Sequence, residues 1–119
     1  MTGVSVIDPQ AIENLRALNP GDNDAFLREI IGIFLEDTPL RIAELEQSLA
    51  AGDQVKFARA AHSIKGSSSN LGAAVLRAAA ETLEHHARSD RLNGVGPRVA
   101  AVKAEFERAA AALKALLGG

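Results

Sequence analysis

Residues 60–73 read Ala60-Ala61-His62-Ser63-Ile64-Lys65-Gly66-Ser67-Ser68-Ser69-Asn70-Leu71-Gly72-Ala73, and this run breaks the rules of a helix built for stability alone. Glycine in a helix interior costs roughly 1 kcal/mol relative to alanine, and serines compete with the helical backbone for hydrogen bonds. The apolar residues nevertheless keep a helical period. Wound at about 100° per residue, Phe57, Ala60, Ala61, Ile64, Ser68 and Leu71 share one side, which marks the core face. His62 then points the opposite way, and Val55, Ala58, Arg59, Lys65, Gly66 and Ser69 lie within about 60° of it on the outer face. Gly66 has no side chain, so a phosphoryl group or another protein's backbone can approach the imidazole closely. Lys65 stands one turn along, where an ammonium can pair with a phosphoryl oxygen as a point charge, and Arg59 adds positive potential on the other flank.

An exposed imidazole with an open approach and a lysine beside it suits reversible phosphorylation on nitrogen, since neutral histidine is a competent nucleophile near pH 7. For one ring nitrogen to attack, the other must hold the proton, and a carboxylate accepting that N–H fixes the tautomer and supports the developing charge. The chain is therefore expected to bring an acid from a neighbouring helix. Glu81 and Glu84 are the candidates, and Glu84 is preferred because it follows the core position Leu83 and so falls at the edge of the buried face.

Outward from this run the chain reads as helices throughout. Asp8 followed by Pro9 caps and opens a short first helix, with Ile7 stapled onto Ile12, and Ile12, Leu15 and Leu18 carry its apolar face to the stop at Asn19-Pro20-Gly21. A second helix is expected from Asp22 or Asn23 to about Asp37, with Phe26, Leu27, Ile30, Ile31, Phe34 and Leu35 at spacings of three and four. Thr38-Pro39 repeats the cap-plus-proline signature, which predicts a break and a third helix carrying Leu40, Ala43, Leu45 and Leu49 to Gly52. Asp53 caps the fourth helix, which runs to Asn70, and Leu71-Gly72 breaks it. The fifth covers about Ala73 to Arg88 on Leu76, Ala80, Leu83 and Ala87, a loop follows over Ser89 to Gly96, and Pro97 opens a last helix. That helix places Val99, Val102, Phe106, Ala109, Leu113 and Leu116 inward and ends at Gly118-Gly119. With no period-two segment, the expected class is all-α: a four-helix up-and-down bundle core with one or two short additional N-terminal helices.

Composition removes several alternatives. The 119 residues make one domain, residues 1–119, which can bury a core without staples. Zero cysteines exclude a disulfide scaffold, a thiolate zinc site and a thiol enzyme. Thirteen Lys plus Arg against fifteen Asp plus Glu, a net charge of -2, lacks the basic excess a nucleic-acid binder needs. No apolar stretch is long enough for a membrane span, and the start MTGVSVIDP lacks the pattern of a signal peptide, so a cytoplasmic protein is expected. Lys65-Gly66-Ser67 inverts the order of a phosphate-binding loop and follows no strand or glycine-rich turn, and the magnesium-binding motifs of kinases are missing. The protein is therefore expected to be no enzyme with an ATP site of its own, and to hold no intrinsic cofactor or metal. His85 and His86, adjacent on a helix, diverge by about 100° and read as surface residues rather than a metal pair.

The run from His62 to Ala73 resembles the phosphoacceptor motif of histidine-containing phosphotransfer (HPt) domains, with the histidine, lysine, glycine and following small residues all in place. The resemblance covers essentially the whole chain and implies a small domain around a four-helix bundle. It implies that His62 accepts the phosphoryl group, that Lys65 neutralises it, and that Gly66 permits docking of a receiver domain. Ser69 and Arg59 would support the phosphoryl group, and Val55, Ala58, Arg59, Gly66 and Ser69 would form the docking face. The spacing from His62 to Glu84 is similar to that in the phosphotransfer domain of chemotaxis kinases, where a glutamate on the next helix orients the histidine. The implied partners are response regulator receivers, which would bring magnesium, and a hybrid histidine kinase. The carrier is expected to be a monomer. Two other readings fit the same residues: an adaptor of the same fold that binds receivers or kinases without accepting phosphate, and a domain cut from a hybrid or chemotaxis-type kinase. The Met1 start and Gly118-Gly119 end suit a free-standing protein.

Overall fold

The computed structural model describes residues 6–90 and 92–117. It contains five helices, α1 (Pro9–Leu18), α2 (Ala25–Ala51), α3 (Gln54–Asn70), α4 (Ala74–Asp90) and α5 (Gly96–Leu116), and no strand among the described residues. Short turns make α2 to α5 successive antiparallel neighbours, α5 closes back onto α2, and α1 lies against α2. The core follows the predicted stripes, with Leu27, Ile31, Phe34, Leu45, Phe57, Ile64, Leu76, Leu83, Val102 and Leu113 all buried. Phe34 of α2 meets Phe106 of α5 with ring centroids 5.5 Å apart, tilted as aromatic pairs prefer.

Two caps act as the sequence predicts. The Asp8 carboxylate accepts from the Gln10 N–H at 3.0 Å at the start of α1, and Asp53 accepts from the Lys56 N–H at 3.1 Å at the start of α3. The expected stop at Gly118-Gly119 lies outside the described residues.

The break expected at Thr38-Pro39 does not occur. One helix of 27 residues runs through Pro39, although proline there has no N–H to offer the Leu35 carbonyl. The reason is tertiary. Ile31, Phe34, Thr38, Ile42, Leu45 and Ser48 form one unbroken buried stripe, so stopping the helix would expose half of it. The core tolerates a second local cost at the same place, because the Thr38 hydroxyl is buried without a hydrogen-bond partner. Carrying the helical phase across Pro39 also turns Leu40, expected on the apolar face of a separate helix, outward to 61% exposure. The six expected helices are thus five, with one short N-terminal helix. Leu18 and Leu116, also expected inward, lie in the last turns of α1 and α5, where Leu18 is exposed and Leu116 borders a recess shared with Pro9, Ile12 and Arg16 of α1. Ser89 and Asp90, expected in a loop, extend α4.

The end of α3 is locked by α1. Gly72 turns the chain with φ +68°, and its carbonyl accepts from the Asp8 N–H at 2.8 Å. A Cβ on Gly72 would stand 2.6 Å from the Ala11 Cβ and 3.0 Å from the Asp8 Cβ. Gly72→Ala adds a left-handed backbone cost to an overpacking cost and is expected to destabilise the fold by about 2–4 kcal/mol. Urea unfolding of the two proteins measures this directly; a loss below about 0.5 kcal/mol would mean that α1 does not hold this turn.

Candidate functional site

Because Phe57, Ala60, Ala61, Ile64 and Ser68 bury one side of α3, His62 is turned to the surface with its side chain 63% exposed. The serines that weaken this helix find partners within it. Ser68 donates to the Ile64 carbonyl at 2.6 Å from its buried position, and Ser67 donates to the carbonyls of Ser63 and Ile64. Ser69 and Gly66 stay exposed, and a Cβ on Gly66 would meet nothing within 4 Å. The approach to the imidazole on that side is open space.

The predicted acid arrives from α4. Leu83 is fully buried, and the next residue, Glu84, lies just inside the surface with its side chain only 9% exposed. Its Oε2 stands 3.1 Å from His62 Nδ1, and its Oε1 accepts from Lys65 Nζ at 2.9 Å. The alternative, Glu81, is exposed and pairs with Arg77 of its own helix at 3.6 Å. Burial would by itself push the Glu84 carboxyl up, but the hydrogen bonds from Lys65 and Arg88, together with the charges of Lys65 and His62, hold it down at about 2. The carboxylate is therefore ionised at neutral pH and can only accept. The His62 proton then belongs on Nδ1, donated to Glu84, which leaves the Nε2 lone pair free at the exposed end of the ring.

Arg88 escaped the sequence reading. Its NH2 donates to the same Glu84 Oε2 at 2.8 Å. The signal was present, since Glu84 and Arg88 are four apart on one helix, the spacing at which an acid meets a following base. Arg88 also borders a recess of about 360 Å³ beside the imidazole, lined by Gln54, Val55, Ala58, Arg59, His62 and Arg88. Gln54 fixes this corner by donating from Nε2 to the Ala87 carbonyl at 2.7 Å, tying the start of α3 to the end of α4.

The remaining predicted residues divide. Val55 is 67% exposed and Arg59 is exposed, with no ion pair among the described residues. Ala58, expected on the open face, is buried, because the close approach of α4 over the first turns of α3 covers its methyl. His85 is exposed as expected. His86 is not simply a surface residue: it is half-buried, its Nε2 lies 2.6 Å from the Asn93 carbonyl, and its Nδ1 accepts from Arg98 Nε at 3.0 Å, bracing the α4–α5 turn. Among the described residues no helix is long and apolar enough to cross a membrane.

With this geometry in place, the comparisons with known proteins agree with one another. The multistep phosphorelay regulator 1 of Schizosaccharomyces pombe is 28% identical over 90 residues, which are 76% of this chain and 30% of that protein, so the chain spans about a third of its length. The structure of histidine-containing phosphotransfer protein B from Pseudomonas aeruginosa PAO1 superposes with a TM-score of 0.84 at 27% identity, covering 94% of each chain. The HPT domain of a sensor hybrid histidine kinase from Shewanella shares the fold, with a TM-score of 0.70 at 16% identity over 90% of this chain and 92% of that one. The sequence matches the model of the Hpt domain over residues 29–112, from the first turns of α2 to the last turns of α5. That span contains α3, α4, most of α2 and α5, and every residue around His62, and the chain belongs to the Hpt domain family.

Proposed function

We propose that this protein is a phosphocarrier in which His62 takes a phosphoryl group from an aspartyl phosphate on one receiver domain and delivers it to an aspartate on another. Membership in the family makes histidine phosphotransfer in a phosphorelay its activity. The observation that carries the assignment to His62 is the Nδ1 contact with an ionised, nearly buried Glu84, which leaves Nε2 as an exposed nucleophile. In the forward step the Nε2 lone pair attacks phosphorus, the N–P bond forms as the P–O bond to the aspartate breaks, and the carboxylate leaves with the electron pair. The proton stays on Nδ1, and the resulting imidazolium charge is balanced by Glu84. The reverse step restores neutral imidazole.

Lys65 and Arg59 flank the ring as cations for the phosphoryl oxygens, with Ser69 as a hydroxyl donor, while Val55, Gly66 and the rim of the recess receive the docking domain. The receiver supplies the acceptor aspartate and its magnesium, and this chain needs no cofactor of its own. A hybrid histidine kinase stands upstream, and the carrier works as a cytoplasmic monomer.

The deciding experiment is transfer from purified, phosphorylated receiver domains to the protein. Acid-labile label on this chain is expected. Binding of receivers without any label would replace the carrier with a non-catalytic adaptor. Gly66→Gln separates docking from chemistry, because it leaves the imidazole intact and gains about 0.5–1 kcal/mol of helix propensity while filling the open approach. Labelling by a receiver is expected to fall at least about tenfold, a barrier increase of about 1.4 kcal/mol, and labelling by the small donor phosphoramidate should persist. Equal rates from the receiver would overturn the role of the glycine.

A further inference from the structure

Glu84 holds more positive charge than one carboxylate needs. Lys65 from α3 occupies Oε1 at 2.9 Å, while Arg88 from α4 shares Oε2 with His62 Nδ1, at 2.8 Å and 3.1 Å. Among the described residues Glu84 is the only ion-pair partner of either cation, and no charged group of α5 pairs with it. The two cations are placed differently. Lys65 lies one helical turn from His62 on the same helix, within reach of whatever the imidazole receives, whereas Arg88 lies one turn from Glu84 on its own helix, anchored beside the carboxylate.

A phosphoryl group on His62 Nε2 brings negative charge next to a carboxylate that is already nearly buried. An ammonium drawn to the phosphoryl oxygens holds Glu84 less strongly, and a buried carboxylate that loses its cation takes up a proton or moves. Either event would remove the acceptor from Nδ1 when the ring becomes cationic. We propose that Arg88 is a positioning residue that holds the Glu84 charge in place while Lys65 turns to the phosphoryl group. This deepens the phosphocarrier reading and rests on it. The sharing of Oε2 fits the role, since the oxygen that Arg88 fixes is the one that accepts the Nδ1 proton.

The role makes Arg88 act through Glu84, which a double-mutant cycle reads out. Labelling by phosphoramidate is measured for the wild type, Arg88→Met, Glu84→Gln and the double variant, with Arg88→Lys as the conservative control and circular dichroism to confirm the helices. Arg88→Met alone is expected to slow labelling about five- to tenfold, a barrier increase of about 1–1.4 kcal/mol, and Arg88→Lys to recover most of it. In the Glu84→Gln background, where Lys65 is already released, the same change should alter the rate less than about twofold, below about 0.5 kcal/mol. An equal loss in both backgrounds would mean that Arg88 touches the phosphoryl group directly or merely supports the fold, and would overturn the inference. An unchanged rate in Arg88→Met would overturn it too. Absence of acid-labile label on the wild type would instead remove the phosphocarrier reading beneath it.

Discussion

His62→Gln is expected to reduce acid-labile labelling to background from both receivers and phosphoramidate, while the protein stays folded. Glutamine removes the only nucleophile of the site but keeps a polar side chain of similar reach, whose amide can still donate to Glu84. The position is largely solvent-exposed, so stability should change by no more than about 0.5 kcal/mol. Thermal unfolding of the variant tests that half of the expectation, and labelling tests the other. Persistent label would move the phosphoacceptor to another histidine, with His85 the exposed alternative.

The second large effect belongs to Glu84→Gln, which should change both rate and acid stability. Glutamine can still accept the Nδ1 proton through its amide oxygen, but it cannot balance the imidazolium that forms when Nε2 attacks. The transfer rate is expected to fall about 10- to 100-fold, as when a group that orients a reactive residue is neutralised. The acid effect follows from the carboxyl lying at about 2 in the fold against an ordinary 4.5. A group depressed in this way contributes its stability fully above its unfolded value and loses it as pH falls through the folded one. Glu84 thus contributes on the order of 3 kcal/mol at pH 7, and the contribution disappears between about pH 4.5 and about pH 2. The variant should be less stable at pH 7 by a similar amount and lose less than the wild type on acidification. Parallel curves of stability against pH for the two proteins would show that the carboxylate gains nothing from Lys65 and Arg88.

What was legible in the chain was legible for local reasons. The bounds of α1 and α3 follow from caps and breakers within a few residues of each end, Asp8 with Pro9 and Asp53 with Leu71-Gly72. The outward direction of His62 follows from the periodicity of its neighbours, because Phe57, Ala60, Ala61, Ile64 and Ser68 share one buried side of the helix and His62 falls opposite them. The preference for Glu84 over Glu81 rested on the same logic, one residue past a core leucine.

Where the reading failed, the deciding quantity was not local. Pro39 is a helix breaker by every nearby signal, and the helix continues because a buried stripe from Ile31 to Ser48 outweighs a cost of about 3 kcal/mol that proline imposes. Ala58 lies on the His62 side of α3 by angle, yet the close approach of α4 buries it. An all-helical chain, the ends of its histidine-bearing helix, and an exposed imidazole between a lysine and a glycine are local properties, since they depend on backbone period and on residues a turn apart. Packing makes α2 one helix and gathers His62, Lys65 and Arg88 around the single carboxylate of Glu84. Those outcomes depend on the rotation and axial stagger of α3 against α4 and on how much apolar surface each stripe buries, quantities that exist only once the helices are packed together.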